Sequence, residues 1–411
     1  MSTSRRQLAA LTGIRFFLAL WVVVYHQGDS LLEWIGGPPE FHRIMECLIR
    51  TGYTAVSAFF ILSGFVLTYN YDLGTLFNAR NAARFGIARF SRIYPAYATG
   101  LLMLIPFAIY RMVENIDGGP ATGTVNFILN DCLLQAWIPS AALSWNFPGW
   151  SLSDEAFFYA VLPVAGIWIL RIGQGQMRGG QTRGGHAREA QPGRAALRLA
   201  GLAAAFWVLS LAMPIFAIVR QIPHFGDAPA TDPELLGAGA WANAIRFNPL
   251  LRLPEFCIGV VLALLYQLIP VGSRLWKRGA RFYIPAFAIV FLVLVNGDRI
   301  PFPAMHNGLL APAYAMAIFG LALEGGVLAR FLSMPALVFL GGASYSMYIL
   351  HLPIGEWMDI GFRHVLHLAP HGMFWLTCYV STVIGLSALF FRTAEEPMHR
   401  WLRTRLNGWA G

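Results

Sequence analysis

Ten stretches of this chain are apolar runs near the length an α-helix needs to cross a bilayer, about 17–25 residues. They fall near 11–28, 52–70, 93–112, 152–170, 199–219, 250–269, 282–297, 308–324, 336–356 and 373–391. The runs at 282–297 and 308–324 are short. Hydrocarbon offers no water to an unpaired backbone group, so non-barrel chains of this kind cross it only as helices. With 56% hydrophobic and 12% charged residues, the chain predicts an all-α fold, a polytopic membrane bundle of about ten transmembrane helices. The segment 125–140 is apolar but broken by Asn130, Asp131 and Pro139, which suits an interfacial or re-entrant piece.

Basic residues set the expected orientation. With the N-terminus in the cytoplasm, 21 of the 30 Lys and Arg fall on the inner side and 6 outside. That bias places both termini in the cytoplasm. It also accounts for the net charge of +9 through topology and anionic membrane lipids, so no nucleic-acid partner is expected. Arg5 and Arg6 resemble a twin-arginine signal, but so many spans follow that they read as positive-inside residues. The first span lacks a small-residue cleavage site and carries Arg15, so it reads as an uncleaved helix. The Gly- and Arg-rich stretch 173–194 has no phosphate-loop pattern and reads as linker. The organisation is thus one transmembrane domain over 1–395, with a flexible cytoplasmic loop at 171–198, and a basic cytoplasmic tail at 396–411. Four cysteines show no zinc spacing, so no metal is expected; a Cys47–Cys132 bridge is open to the two outer thiols.

Arg15 and His26 both lie in the first span, LTGIRFFLALWVVVYH. Eleven residues are three helical turns, so the two share one face, about 16 Å apart along the axis. Ionisable groups within a span usually face protein or a water-filled cavity. His26 is a candidate general base, although a lone His at a helix end is more often a satisfied polar residue. Arg89 and Arg92 share a face just before span three and suit phosphate binding, against the simpler reading of topogenic charge. Asp154 and Glu155 open span four after Trp150. The helix dipole explains acids there, but an intramembrane carboxylate is a functional candidate by default. Tyr345, Tyr348 and His351 recur at three-residue intervals along span nine and suit pore lining or interhelical hydrogen bonds. Arg252 and Glu255, three apart, suit a local ion pair. Two function classes fit: a membrane enzyme, or a multispanning transporter of a polar or glycan substrate without catalysis. A purely structural role leaves Arg15 and His26 on one face unexplained.

Six segments, taken in order, resemble the acyltransferase-3 family of integral membrane O-acyltransferases. Arg15 and His26 match its first-span signature of Arg, ten residues, then His. Phe-Phe-Ile-Leu-Ser-Gly-Phe at 59–65 matches its second span. Arg89 and Arg92 match its paired arginines, and Trp150 to Tyr159 its Trp-Ser-Leu-x-x-Glu-x-x-Phe-Tyr segment. SYSMYILHLPI at 344–354 and EEP at 395–397 complete the set. The resemblance implies transfer of an acyl group, commonly acetyl, from cytoplasmic acyl-CoA to a hydroxyl of a sugar, surface glycan or glycosylated metabolite. It implies His26 as catalytic base, with Glu155 orienting it or holding the acceptor. Arg89 and Arg92 would bind the CoA phosphates, and Arg15 the CoA arm or the carbonyl. Trp150, Asp154, Tyr345, Tyr348 and His351 would line the substrate path. Direct transfer and an acyl-histidine relay both remain open. The expected location is a bacterial plasma membrane, where a second copy of the chain can be a partner.

Overall fold

The computed structural model describes residues 8–116, 118–175, 192–222, 225–226, 228–231, 239–270, 272–323 and 325–407. Most of the linker expected at 173–194, and the end of the basic tail, lie outside the described residues. Among the described residues, the helices that correspond to the apolar runs are α1 (Ala9–Gln27), α2 (Ala55–Asn70), α3 (Ala79–Val113), α4 (Trp150–Gln174), α5 (Pro192–Val219), α6 (Pro249–Gln267), α7 (Ala280–Leu294), α8 (Ala311–Ala322), α9 (Pro335–Ile360) and α10 (Gly372–Phe390). Among the described residues there is no strand, only one isolated bridge between Pro229 and Pro301. The fold is an all-α polytopic bundle.

Among the described residues, eight helical stretches are long and apolar enough to cross a membrane. The runs expected at 282–297 and 308–324 form α7 and α8, of 15 and 12 residues, which pack on each other. A 12-residue helix rises about 18 Å, well short of a hydrocarbon core of about 30 Å. Span three also differs. Its helix begins at Ala79 rather than near 93, because the Asn78 side chain accepts from the Arg80 amide (2.9 Å) and caps it. Pro95 therefore sits inside a 35-residue rod that holds Arg89 and Arg92 in fixed register with the span.

The segment after α3 is a short helix, Gly119–Asp131, followed by irregular backbone. Its polar groups are absorbed locally: Gln135 donates to the Gly149 carbonyl (2.7 Å), and Asn130 to the Ser144 hydroxyl (2.8 Å). Cys47 and Cys132 are both free thiols, so the bridge open to them in the sequence is not formed.

Two close helix crossings set the geometry of the site. A Cβ on Gly64 of α2 would strike the Phe256 carbonyl of α6, and one on Gly259 of α6 would strike the Ile61 carbonyl of α2. Likewise Gly341 of α9 lies against the Thr12 carbonyl of α1. Small residues let helix backbones approach where no hydrophobic driving force separates protein from lipid. These crossings bring α1, α2, α6 and α9 together around the polar residues of the bundle.

Candidate active site

Two cavities open along α1. The first, about 860 Å³, is lined by Arg15 of α1, Phe59 and Ser63 of α2, Arg89 and Arg92 of α3, Glu155 and Tyr159 of α4, and Tyr345 and Tyr348 of α9. The second, about 1270 Å³, is lined by Tyr25, His26, Asp29, Arg50, Tyr53, Trp150, Arg246, Phe247, His306 and Tyr348, among others. Arg15 and His26 thus share a helix face, and each opens into a different cavity.

In the first cavity the three arginines are not equivalent. Arg92 is held: it pairs with the fully buried Glu395, donates to the Gly342 carbonyl (3.1 Å), and lies over the Phe391 ring at 5.6 Å. Glu395 also accepts from the Ser346 hydroxyl. It ends a π-helical turn, Phe391–Glu395, that follows α10. Arg89 is less committed. Its Nη2 donates to the Tyr71 hydroxyl (3.2 Å), while its buried Nε has no hydrogen-bond partner among the described residues. Arg15 interacts electrostatically with Glu155, Tyr159 and Arg89. Glu155 accepts from the Tyr159 hydroxyl at 2.9 Å. Arg15, Arg89 and Glu155 therefore present polar groups to the cavity, whereas Arg92 is engaged with Glu395 within the protein.

His26 is held in one tautomer. Its Nδ1–H points at the Val22 carbonyl (2.9 Å) and is shared with Nε2 of His351 (3.3 Å). His351 can accept there because its own Nδ1–H is directed to the Tyr348 carbonyl at 2.8 Å. The pattern leaves Nε2 as the basic nitrogen of His26, on a side chain that lines the second cavity. His351 is fully buried and lines neither cavity; it backs His26. Of the two alternatives read from its spacing, interhelical hydrogen bonding is what the structure shows.

Glu155 has a different place from the one implied beside His26. It faces the arginines of the first cavity, and the His26 ring makes its hydrogen bonds to Val22 and His351. Trp150 lines the second cavity, Tyr345 the first, and Tyr348 both. Asp154 lines neither. It is fully buried, and its carboxylate oxygens have no hydrogen-bond partner among the described residues. Arg252 and Glu255 form the expected ion pair (2.9 Å), but it is buried rather than local trim. Ser57 bridges the two (3.1 Å to each), and Arg252 donates to the His306 carbonyl (2.6 Å).

Sequence reasoning missed Arg50, Arg246 and His306 in the second cavity and the pairing of Glu395 with Arg92. Arg50 and Arg246 fall among the six basic residues on the outer side, which the charge bias reads as topogenic. His306 sits in a five-residue helix, Phe302–His306, between two short apolar runs. No spacing rule marked it; a buried, ring-lined position does, with Tyr53 stacked on it at 5.3 Å.

A family model described as an acyltransferase domain matches residues 8–392. Acyltransferase MdmB of Streptomyces mycarofaciens is 26% identical over 415 aligned positions, covering 97% of this chain and 93% of that protein. Protein 2 in picA locus of Rhizobium radiobacter is 29% identical over 163 positions, covering 37% of this chain and 78% of that protein. No solved structure matches the chain.

Proposed function

This chain belongs to the acyltransferase-3 family and is an integral membrane acyltransferase, and from that premise we propose that it acylates a sugar hydroxyl at the expense of cytoplasmic acyl-CoA. In this reading the Arg15 cavity faces the cytoplasm and takes the donor, commonly acetyl-CoA. The His26 cavity faces outward and takes the acceptor, a surface glycan or a glycosylated small molecule. The membrane is a bacterial plasma membrane. Family membership removes the alternative of a transporter without catalysis.

One observation carries the proposal. Arg15 and His26 stand on one helix face, and the linings of their cavities share Val56 and Tyr348. A cation for the donor and a base for the acceptor are thereby held on one rigid element.

The chemistry then follows from these side chains. Arg89 and Arg15 bind the anionic donor, Arg89 through its unpartnered donor group. Nε2 of His26 takes the proton of the acceptor hydroxyl, and the oxygen attacks the thioester carbonyl. The tetrahedral intermediate collapses with cleavage of the C–S bond. The CoA thiolate leaves and receives the proton that His26 had taken. Glu155, bonded to Tyr159, interacts electrostatically with Arg15 across the cavity. The aromatic walls Trp150, Phe247 and Tyr53 give a sugar ring apolar faces to stack on.

The test is transfer of label from acetyl-CoA, radioactive in its acetyl group, to the glycan fraction of membranes by purified protein. Label in glycan that mild alkali releases supports ester formation. Labelled acetyl-CoA that binds without yielding alkali-labile glycan product overturns the acceptor assignment. Orientation is read from Gly193→Cys in a Cys132→Ser background. It should react with an impermeant thiol reagent only after permeabilisation, and reaction in intact cells overturns the assignment of the Arg15 cavity to the cytoplasm.

A further inference from the structure

We propose that Val56 and Tyr348 form a neck that selects the acyl group, admitting an acetyl-sized chain and rejecting longer straight chains. Among the described residues, the linings of the two cavities share Val56 and Tyr348 alone. Both are nearly closed off from solvent, at 5% and 7% exposure, so these two packed side chains stand between the cavities. The inference rests on the reading above, in which donor and acceptor approach from opposite cavities. The thioester carbon has to be reached from both sides, so it reacts at the neck, and the acyl chain is held against these two side chains.

The neck has little room to yield. Val56 precedes Ser57, which is bonded to both Arg252 and Glu255 at 3.1 Å. The Tyr348 hydroxyl accepts from Ser151 at 2.9 Å, and its ring meets Phe59 at 6.1 Å. One residue along α9, the Ile349 carbonyl accepts from Asn146 at 2.9 Å. Close-packed interiors resist extra methylenes. A single methylene in such a pocket discriminates by roughly 10–200-fold.

The experiment measures binding of CoA, acetyl-CoA, butyryl-CoA and hexanoyl-CoA to the purified whole chain by calorimetry, with thermal stability read on the same samples. The parent should bind butyryl-CoA about tenfold or more weakly than acetyl-CoA. Val56→Ala should shrink that ratio to about threefold or less, with CoA itself bound as before, because two methyl groups are removed from the neck and none from the phosphate site. Val56→Cys, capped with a methylthio group after purification, narrows the passage in protein that has already folded. It should weaken acetyl-CoA and leave CoA unchanged. Tyr348→Phe keeps the ring and should preserve the parent's chain-length ratio. Identical ratios in parent, Val56→Ala and capped Val56→Cys overturn the neck. A parent that binds no CoA overturns the donor site itself, and with it the neck.

Discussion

The two cavities whose linings share Tyr348 are built from different materials. The Arg15 cavity is made by long helices: α1, α2, α3, α4 and α9 supply its walls. The His26 cavity takes His26, Trp150 and Tyr348 from long helices, but Arg50, Arg246 and His306 from the shorter helices Pro39–Arg50, Gly239–Phe247 and Phe302–His306. Helical walls constrain residue spacing strongly, so a cavity of that kind suits a substrate that stays the same. Each short helix contributes one of these polar side chains to the wall, so this cavity is assembled from more separate pieces of chain than the Arg15 cavity. The contrast fits the proposed assignment of a common donor to one side and a particular acceptor to the other.

The sharpest way to break the comparison is within the helical cavity. Arg92→Ala leaves the buried Glu395 carboxylate without its partner, and removing one member of a buried pair costs about 3–5 kcal/mol. Thermal unfolding of Arg92→Ala should show that loss, and Glu395→Gln added to it should restore most of it. A stable Arg92→Ala protein with weak CoA binding would return Arg92 to the phosphate site. Next in size, His26→Ala should lose acyl transfer by about 100-fold or more while keeping its CoA affinity and unfolding temperature. Near-parent transfer would move the base elsewhere. Arg89→Ala should follow, weakening CoA binding by the roughly 1.5–3 kcal/mol of one charge-assisted contact, with stability unchanged and only partial rescue by Lys. If its unfolding temperature falls and CoA affinity does not, Arg89 belongs with Arg92.

The smallest effect concerns the support behind His26. His351→Leu removes one neutral hydrogen-bond acceptor, so turnover should fall by about fivefold, equivalent to about 1 kcal/mol, with CoA affinity unchanged. His351→Gln restores an acceptor oxygen and should recover much of that loss. Leu and Gln variants that behave alike would leave Val22 as the sole anchor of the tautomer.

Much of the helical half was legible in the sequence. Helical periodicity placed Arg15 and His26 on one face, and Arg89 with Arg92 on another, because spacing along a helix determines direction. The same rule put Tyr345, Tyr348 and His351 on α9 but could not tell a wall from a backing residue. Tyr348 reaches both cavities, while His351 is buried behind His26. Glu155 was readable as an inward acid but not as a partner of Arg15, since that depends on how α4 docks against α1. Arg246 and His306 were not legible, because nothing local distinguishes an arginine that marks topology from one that walls a cavity. The apolar run 308–324 exceeds α8 because hydropathy measures apolar content and not helix ends, whereas α7 matches the length of its run to within a residue and is simply short for a span.

The buried cluster of Arg252, Glu255 and Ser57 also bears on how the protein is made. Arg252 and Glu255 are one turn apart on α6, whereas Ser57 belongs to α2. An isolated Arg or Asp at the centre of a nascent helix costs about 2.5–3.5 kcal/mol to insert. Paired within the first two turns of α6, Arg252 and Glu255 offset each other's charge without a partner from another helix. The Ser57 hydroxyl, from α2, completes the cluster only where α2 and α6 are packed together, so α6 by itself carries the ion pair but not its bridge.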